Sequence, residues 1–189
     1  MERKVFLVTS NSGKIQSFNH ILKELNIEFE IEMLNAEYPE DKEKETTNWV
    51  ALQGAKFCAE KYQKPVLVND TGLYIEALNG FPGVNTKFTL KRIGNAGLIK
   101  LMEGIENRKI TWVFSLGFCQ PGKSPIEFTS SIEGIMPNKQ RGTDGFGFDP
   151  IFIPKGYNVT FAEDTEIRDS LSPFRETVTN FANVYLKMC

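Results

Sequence analysis

The sequence predicts a mixed α/β domain, of the α/β or α+β class, built around a long mixed sheet. Short apolar runs such as Val5–Val8 and Val66–Val68 have the length of buried strands. Segments with apolar residues at helical spacing, such as Ile15–Leu25, alternate with those runs. No internal repeat or linker divides the 189 residues, so we expect one domain over residues 1–189.

The elements predicted for the first part of the chain alternate between strand and helix, and polar segments separate them. Thr46 or Thr47 has the residue type of a helix N-cap. In order, the predicted elements are strand Val5–Val8, loop Thr9–Lys14, helix Ile15–Leu25, strand Glu28–Leu34, acidic loop Asn35–Lys44, a helix through Tyr62, and strand Val66–Val68 ending at residues 69–72.

The rest of the chain is predicted to contain a strand pair between two helices. Leu98, Leu101 and Met102 are the expected buried residues of the first helix, and Ser172 is the expected cap of the second. In order, the predicted elements are loop Gly80–Gly83, helix Gly94–Ile105, strands Ile110–Cys119 and Ile126–Ile135, loop Asn138–Asp149, and helix Pro173–Lys187.

Composition excludes several kinds of partner and site. The net charge of −2 provides no basic field for nucleic acid or for a membrane surface. The apolar runs are too short to span a bilayer, and the start of the chain has no signal-peptide core, so we expect a cytoplasmic protein. Three scattered cysteines indicate reduced thiols. Because His20 is the single histidine, a His-rich zinc site is excluded, and chemistry must use carboxylates, lysines, hydroxyls or a hard metal.

The loop Thr9–Lys14 joins a predicted strand to a predicted helix and has the composition of a phosphate-binding loop. Free N–H groups and the helix dipole attract anions at a helix N-terminus, and Lys14 adds a full positive charge. The Walker spacing of Gly and Lys is absent. An ordinary capped turn is the alternative interpretation.

Asp70 follows the strand Val66–Val68 and precedes Thr71 and Gly72. Ligands of open α/β sheets bind at the carboxyl ends of strands, where a carboxylate can hold Mg²⁺ or accept a proton from water. The alternative is an aspartate that caps its own turn. Lys87 also has two alternative interpretations: it contacts a phosphate, or it is an ordinary solvated lysine.

Residues 144–152, D-G-F-G-F-D-P-I-F, alternate two glycines with two aromatic residues before an acid. A ring held on glycines can stack on a nucleobase, and Asp149 can accept a hydrogen bond from a ring N–H. The alternative is a tight turn whose rings belong to the core.

These motifs together resemble the inosine triphosphate pyrophosphatase family, also called Ham1, in its archaeal branch. The resemblance rests on V-N-D-T-G-L-Y-I-E-A-L-N-G-F-P-G-V, G-F-G-F-D-P-I-F-I-P and F-A-E, and it extends from Val5 to about Leu186. It implies an elongated α/β fold with helices on both sides of the sheet, two lobes around a central nucleotide-binding cleft, and a homodimer. It also implies Mg²⁺-dependent hydrolysis of ITP, dITP and XTP to the monophosphate and pyrophosphate.

The resemblance also assigns roles to residues. It implies that Asp70 is the catalytic acid and a metal ligand, with Glu45 as a candidate second ligand. The implied substrate-binding residues are Thr9, Ser10, Asn11, Ser12, Gly13, Lys14, Thr71, Lys87, Phe146, Gly147, Phe148, Asp149, Arg168, Ser172 and Arg175, with Phe146 as the ring that stacks on the base.

The chain departs from the family pattern near the expected metal and base sites. Asn69 replaces an acid before Asp70, and Asn48-Trp49 falls where the family has a metal-binding glutamate. Arg168 falls at a family lysine, and Ser172-Pro173-Phe174 falls at its S-H-R motif, with Arg175 one residue later. The alternatives are therefore a nucleotide-binding homologue that has lost catalysis, a pyrophosphatase of different base specificity, or a structural domain without a ligand.

Overall fold

The computed structural model describes residues 4–39 and 46–188, and strands and helices alternate in its first part only, from β1 to β3. Two short 3₁₀ turns, Glu76–Leu78 and Asp149–Ile151, lie between the larger elements. In chain order these are β1 (Lys4–Val8), α1 (Ser12–Glu24), β2 (Glu30–Leu34), α2 (Thr47–Tyr62), β3 (Val66–Ile75), β4 (Pro82–Gly83), α3 (Thr86–Arg92), α4 (Gly94–Leu101), β5 (Lys109–Cys119), β6 (Ile126–Ile135), β7 (Ile153–Pro154), α5 (Thr165–Leu171) and α6 (Pro173–Met188).

The strands form a sheet in the order β2-β1-β3-β5-β6-β7, and β4 pairs with β3. Strand β1 is parallel to β2, from Lys4 opposite Glu30 onward, and parallel to β3. The pairs β3–β4 and β6–β7 are antiparallel. Parallel and antiparallel pairs in one sheet confirm the predicted mixed α/β class.

The chain divides into two compact units, each with its own apolar core. The first contains the described residues of Met1–Asp70, Phe114–Ser130 and Phe174–Cys189, and the second contains Thr71–Val113 and Ser131–Pro173. Phe181 centres the first core, where its ring contacts Phe29, Phe118 and Phe128. Phe152 and Phe161 stack with ring centroids 5.0 Å apart in the second core. The single domain over residues 1–189 stays a prediction.

Helix α2 lies unusually close to β5, and a glycine permits this approach. A Cβ atom on Gly117 would overlap the backbone carbonyl of Ala51. Thr47 and Ser115, both buried, bond through their hydroxyls at 2.7 Å near the start of the helix. Within residues 4–39 and 46–188, no helix has the length and apolar character needed to cross a membrane.

Most predicted elements are confirmed within a few residues, but the structure differs in several places, including the two-residue strands β4 and β7, which were not predicted. Strand β3 continues to Ile75, because Leu73 and Tyr74 pair with β4 although polar residues interrupt the apolar run. Helices α3 and α5 were not predicted, because seven residues each provide too few turns for a clear apolar period. Leu101, expected in the core, is 50% exposed at the end of α4. Part of the predicted loop Asn35–Lys44 lies outside the described residues.

Candidate functional site

The loop between β1 and α1 is organised by its own side chains, as the small polar composition predicted. Asn11 caps the helix, and its Oδ1 accepts from the Gly13 N–H at 2.9 Å. The Asn11 N–H in turn donates to Thr9 Oγ1 at 3.1 Å. Ser10 and Ser12 are exposed. The loop therefore presents hydroxyls and a helix N-terminus on the surface of the first unit.

The first turn of α1 is electrostatically suited to an anion. It contains no acidic residue that would neutralise the positive end of the helix dipole. Lys14 lies in the same turn, and its Nζ donates to Asn69 Oδ1 at 3.2 Å. This hydrogen bond brings the loop next to the residue before Asp70.

Asp70 lies inside β3 and not at its end, which corrects the sequence prediction. The parallel register of β1 and β3 pairs Phe6 with Val66 and Leu7 with Leu67, so Asp70 comes just beyond this part of the strand. Its side chain is half-buried. The strand continues beyond Asp70 to Ile75. Thr71, the next residue, accepts a hydrogen bond at its backbone oxygen from Thr86 Oγ1 at 3.2 Å.

Few protein ligands are available for a metal ion. Over residues 4–39 and 46–188, no group of three His, Cys, Asp or Glu side chains could hold one. Glu45 lies outside these residues, and the first turn of α2 has no acid; its Asn48 Nδ2 donates to Glu127 Oε2 at 3.1 Å. The carboxylate of Asp70 fits a hard cation that takes its other ligands from phosphate and water, as Mg²⁺ commonly does. It does not fit an all-protein metal cage.

The second unit exposes one of the two rings of the G-F-G-F-D segment. Phe146 is 70% exposed, at the tip of what we call the Phe146 loop, residues 144–149. Gly145 and Gly147 have φ of +77° and +61°, and a side chain on Gly145 would overlap Asp149 Oδ2. The glycines therefore allow a backbone that displays the ring.

Phe148 is a core residue, which corrects the expectation that its ring binds substrate. It is 6% exposed and packs in the apolar core of the second unit. A buried ring offers no face to a nucleobase. The two aromatic residues thus have different roles: Phe148 anchors the loop, and Phe146 remains available.

Asp149 is fully buried beneath the Phe146 loop. Its Oδ2 accepts from the Phe146 N–H at 2.8 Å and lies 3.5 Å from Arg168 Nη1, whereas Oδ1 has no hydrogen-bond partner among the residues described. Burial raises the pKa of this carboxyl, and the Phe146 N–H and the Arg168 charge oppose that rise. Asp149 therefore organises the loop, and direct acceptance from a base, as predicted, would need its carboxylate to become exposed.

Arg168 joins the ring and the acids into one cluster. Its guanidinium lies 5.7 Å from the centre of the Phe146 ring, within cation–π range. Its Nε and Nη2 donate to Asp169 Oδ1 at 2.9 and 2.8 Å. A guanidinium carries five N–H donors, so these contacts leave some unused by the two carboxylates.

The remaining predicted residues lie at the surface or near it. Lys87 is exposed in the first turn of α3, and Ser172 is half-buried after α5. Arg175 pairs with Glu24, with Nη1 and Oε2 2.5 Å apart, in the first unit. A base contact from Arg175, as the sequence suggested, would compete with this ion pair.

Sequence reasoning missed Asn95, in the first turn of α4. Its Nδ2 donates to the Gly147 carbonyl at 2.8 Å, so it contacts the Phe146 loop directly. Asn95 and Gly147 are 52 positions apart, and no local pattern marks the asparagine. Only the packing of α4 could identify it.

Comparison with known proteins identifies the family. The model of the Ham1 family matches residues 5–184, which is most of the chain. The chain belongs to the Ham1 family.

Curated relatives of this Ham1 protein include archaeal enzymes of similar length. A dITP/XTP pyrophosphatase of Methanopyrus kandleri is 42% identical over 183 residues, covering 96% of both chains. The protein of the same name from Methanosarcina acetivorans is 42% identical and covers 94% of this chain and 95% of its own. These matches confirm the predicted resemblance to the archaeal branch.

Solved structures agree on the fold. The Ham1 protein of Staphylococcus aureus superposes with a TM-score of 0.85 at 20% identity, covering 98% of this chain and all of that one. A HAM1 protein of Coxiella burnetii has a TM-score of 0.84 at 22% identity and covers 97% and 98% of the two chains. Because these identities are below 25%, the similarity supports the fold and nothing further.

The buried carboxyl of this Ham1 protein leads to a prediction about pH. Because burial raises the pKa of Asp149, the folded protein holds this proton more tightly than the unfolded chain does. The free energy of unfolding of the wild type should therefore fall, relative to Asp149→Asn, as pH rises from the ordinary value of 3.8 through the raised pKa. Urea unfolding of both proteins at pH 4, 5, 6 and 7 measures this difference. Asp144→Asn, at an exposed position, controls for the loss of one charge, and a difference that does not change with pH would contradict the prediction.

Proposed function

We propose that this Ham1 protein is a nucleoside triphosphate pyrophosphatase that hydrolyses the non-standard purine nucleotides ITP, dITP and XTP to the monophosphate and pyrophosphate. The observation that carries the proposal is the 42% identity, over 96% of both chains, to a protein named dITP/XTP pyrophosphatase. The loop after β1 and the exposed ring of the second unit have the chemistry that such a substrate needs. The enzyme is thus a hydrolase acting on the α–β phosphoanhydride bond.

The loop Thr9–Lys14 is proposed to bind the triphosphate. Support comes from the acid-free first turn of α1, from the exposed hydroxyls of Ser10 and Ser12, and from the charge of Lys14. Lys87, exposed in the first turn of α3, is proposed to provide a second positive charge toward the phosphates. Positive groups that face developing negative charge lower the barrier to phosphoryl chemistry.

Asp70 is proposed as the catalytic carboxylate. Its roles are to orient the attacking water, to accept its proton, and to contribute one ligand to Mg²⁺. When bound, Mg²⁺ neutralises negative charge on the phosphates and so assists the departure of pyrophosphate. Support comes from the half-buried position of Asp70 beside Asn69, which Lys14 contacts.

In the proposed reaction the oxygen of water attacks the α-phosphorus. The bond from the α-phosphorus to the oxygen that bridges to the β-phosphorus breaks, and its electron pair leaves with pyrophosphate. The proton of the water passes to Asp70, and the nucleoside monophosphate remains. No histidine is required, since positioning and charge stabilisation provide most of the catalysis of phosphoryl transfer.

Phe146 is proposed to stack on the purine, and Arg168 to favour a 6-oxo group. An arginine can donate to O6 and N7 of a 6-oxopurine, whereas adenine offers an amino donor in place of O6. The 5.7 Å approach of Arg168 to the Phe146 ring supports this arrangement. The backbone around Gly147 and Asp149, with Ser172 and Arg175, is proposed to complete base binding.

A substrate panel tests the proposed function. We expect dITP, XTP and ITP to yield pyrophosphate with Mg²⁺, and ATP to react about 5- to 150-fold more slowly, since an unpaired donor at the base costs about 1–3 kcal/mol. The measurement is the separate assay of pyrophosphate and inorganic phosphate for dITP, XTP, ITP, GTP and ATP. Release of inorganic phosphate alone, or equal turnover of ATP, would contradict the proposal.

The second candidate function is nucleotide binding without turnover. The first turn of α2 has no acid, and Asn69 stands beside Asp70, so protein ligands for a metal are few. This candidate predicts that ITP binds, as calorimetry would measure, while no pyrophosphate appears. A pyrophosphatase of different base specificity would instead turn over UTP or CTP when these pyrimidine nucleotides are added to the panel.

A homodimer, a cytoplasmic location and the absence of nucleic-acid binding remain part of the proposal. The exposed apolar side chains Phe81, Phe88 and Ile93 of the second unit support self-association. The buried free thiols Cys58 and Cys119 support a reducing compartment. The net charge of −2 argues against a nucleic-acid partner.

A further inference from the structure

Asn95 makes one side-chain hydrogen bond to the loop that displays Phe146. Its Nδ2 donates to the Gly147 carbonyl at 2.8 Å, and Gly147 directly follows the exposed ring. Gly147 has φ +61°, so its carbonyl has a direction that ordinary extended or helical backbone does not provide. The hydrogen bond from Asn95 therefore depends on the left-handed conformation of Gly147.

The other end of the Asn95 amide has no comparable contact. Its Oδ1 is buried and has no hydrogen-bond partner within residues 4–39 and 46–188. A buried oxygen without a hydrogen-bond partner costs free energy. The oxygen of the Asn95 side chain therefore does not explain why an amide stands at this position. Among the described residues, the donor bond to Gly147 is the side-chain contact that accounts for an amide at this position.

The Phe146 loop has two further anchors within the second unit. The Phe146 N–H donates to Asp149 Oδ2 at 2.8 Å, and the Phe148 ring packs in the same core as Leu98 of α4. Bonds on each side of the exposed ring reduce the rotations that the loop can make. A ring that is already oriented loses less conformational entropy when it stacks on a ligand.

We propose that Asn95 is a positioning residue, which holds the Phe146 loop from α4 and thereby keeps the exposed ring oriented for stacking on the base. The effect on substrate rests on the proposed function, whereas the effect on the loop does not. In this role Asn95 acts through its hydrogen bond to Gly147 and not through contact with substrate or the reacting atoms.

Two variants of Asn95 distinguish the positioning of the Phe146 loop from a general loss of folding. Asn95→Asp keeps the size of the side chain and replaces the donor by an oxygen that faces the Gly147 carbonyl. Asn95→Gln retains an amide donor on a longer side chain, so its loop should behave more like that of the wild type than the loop of Asn95→Asp does. Asn19→Asp is the matched control, because Asn19 Nδ2 also donates to a backbone carbonyl, that of Ile31, at 3.1 Å in the first unit.

Hydrogen exchange of the wild type and variants without nucleotide tests the loop directly. We expect the amides of Phe146–Asp149 to exchange about five- to tenfold faster in Asn95→Asp, the effect of losing one ordinary hydrogen bond. Asn19→Asp should leave these amides unchanged. Unchanged exchange in Asn95→Asp would overturn the proposal, whether or not the protein hydrolyses dITP.

Steady-state kinetics with dITP test the consequence for the base. We expect KM to rise about five- to tenfold in Asn95→Asp with little change in kcat, and the rise to vanish when Phe146→Ala is already present. A fall in kcat with unchanged KM, or a KM effect that persists without the ring, would overturn the positioning role. No turnover by the wild type would instead contradict the proposed function, and the exchange experiment would still decide the role of Asn95.

Discussion

Asp70→Asn is expected to abolish pyrophosphate release from dITP, with a loss of about 10²–10⁴-fold in kcat, the usual contribution of a positioned acid or base. Asparagine has nearly the same shape but cannot accept the proton of the attacking water, and it is a weaker ligand for Mg²⁺. Binding of ITP should change far less, because the loop Thr9–Lys14 and the exposed ring are unaffected. Kinetics with a pyrophosphate assay, together with calorimetry of ITP binding, measure the two effects.

The control for this substitution is Glu176→Gln, which removes a carboxylate at an exposed position of α6 in the same unit. It should retain the activity of the wild type. Asp70→Asn with more than a tenth of wild-type kcat would show that another group activates the water, and Glu45 would then be the first residue to substitute.

Phe146→Ala is expected to raise KM for dITP by about 5- to 150-fold, which corresponds to the roughly 1–3 kcal/mol of a base stacked on an aromatic ring. Because the ring is 70% exposed, its removal should change the melting temperature little. Steady-state kinetics and thermal unfolding of the same preparation measure both quantities.

Two other phenylalanines provide controls for the Phe146 experiment. Phe88→Ala removes another ring, 60% exposed, and should leave KM unchanged. Phe148→Ala removes a buried ring and should lower the free energy of unfolding by about 3–5 kcal/mol. Equal KM for Phe146→Ala and the wild type would remove Phe146 from the base site.

The loop after β1 shows how far local sequence can predict a site. Its small residues, the cap at Asn11 and the nearby Lys14 are neighbours along the chain, so their geometry follows from short-range hydrogen bonding. Residue type and spacing therefore sufficed to predict both the loop and its electrostatic character. The approach of Lys14 to Asn69 required the pairing of β1 with β3.

The G-F-G-F-D segment shows where the same reasoning fails. Alternation of glycine and aromatic residues is compatible with two displayed rings, yet Phe148 is in the core and Phe146 is outside. Likewise the polar stretch after Val68 suggested a strand end, whereas pairing with β4 extends β3 to Ile75. In both cases a partner distant along the chain decides the outcome.

The sequence by itself determined the class of fold, the order of most elements, the scarcity of histidine and the residue types of both candidate binding regions. These properties depend on composition and on spacing between near neighbours, which the chain carries in any conformation. Only the tertiary structure decided which ring is exposed, that Asp149 is buried under its own loop, and that Asn95 bonds to Gly147. Burial and hydrogen bonds across 52 residues depend on how separate elements pack, and no local pattern records that packing.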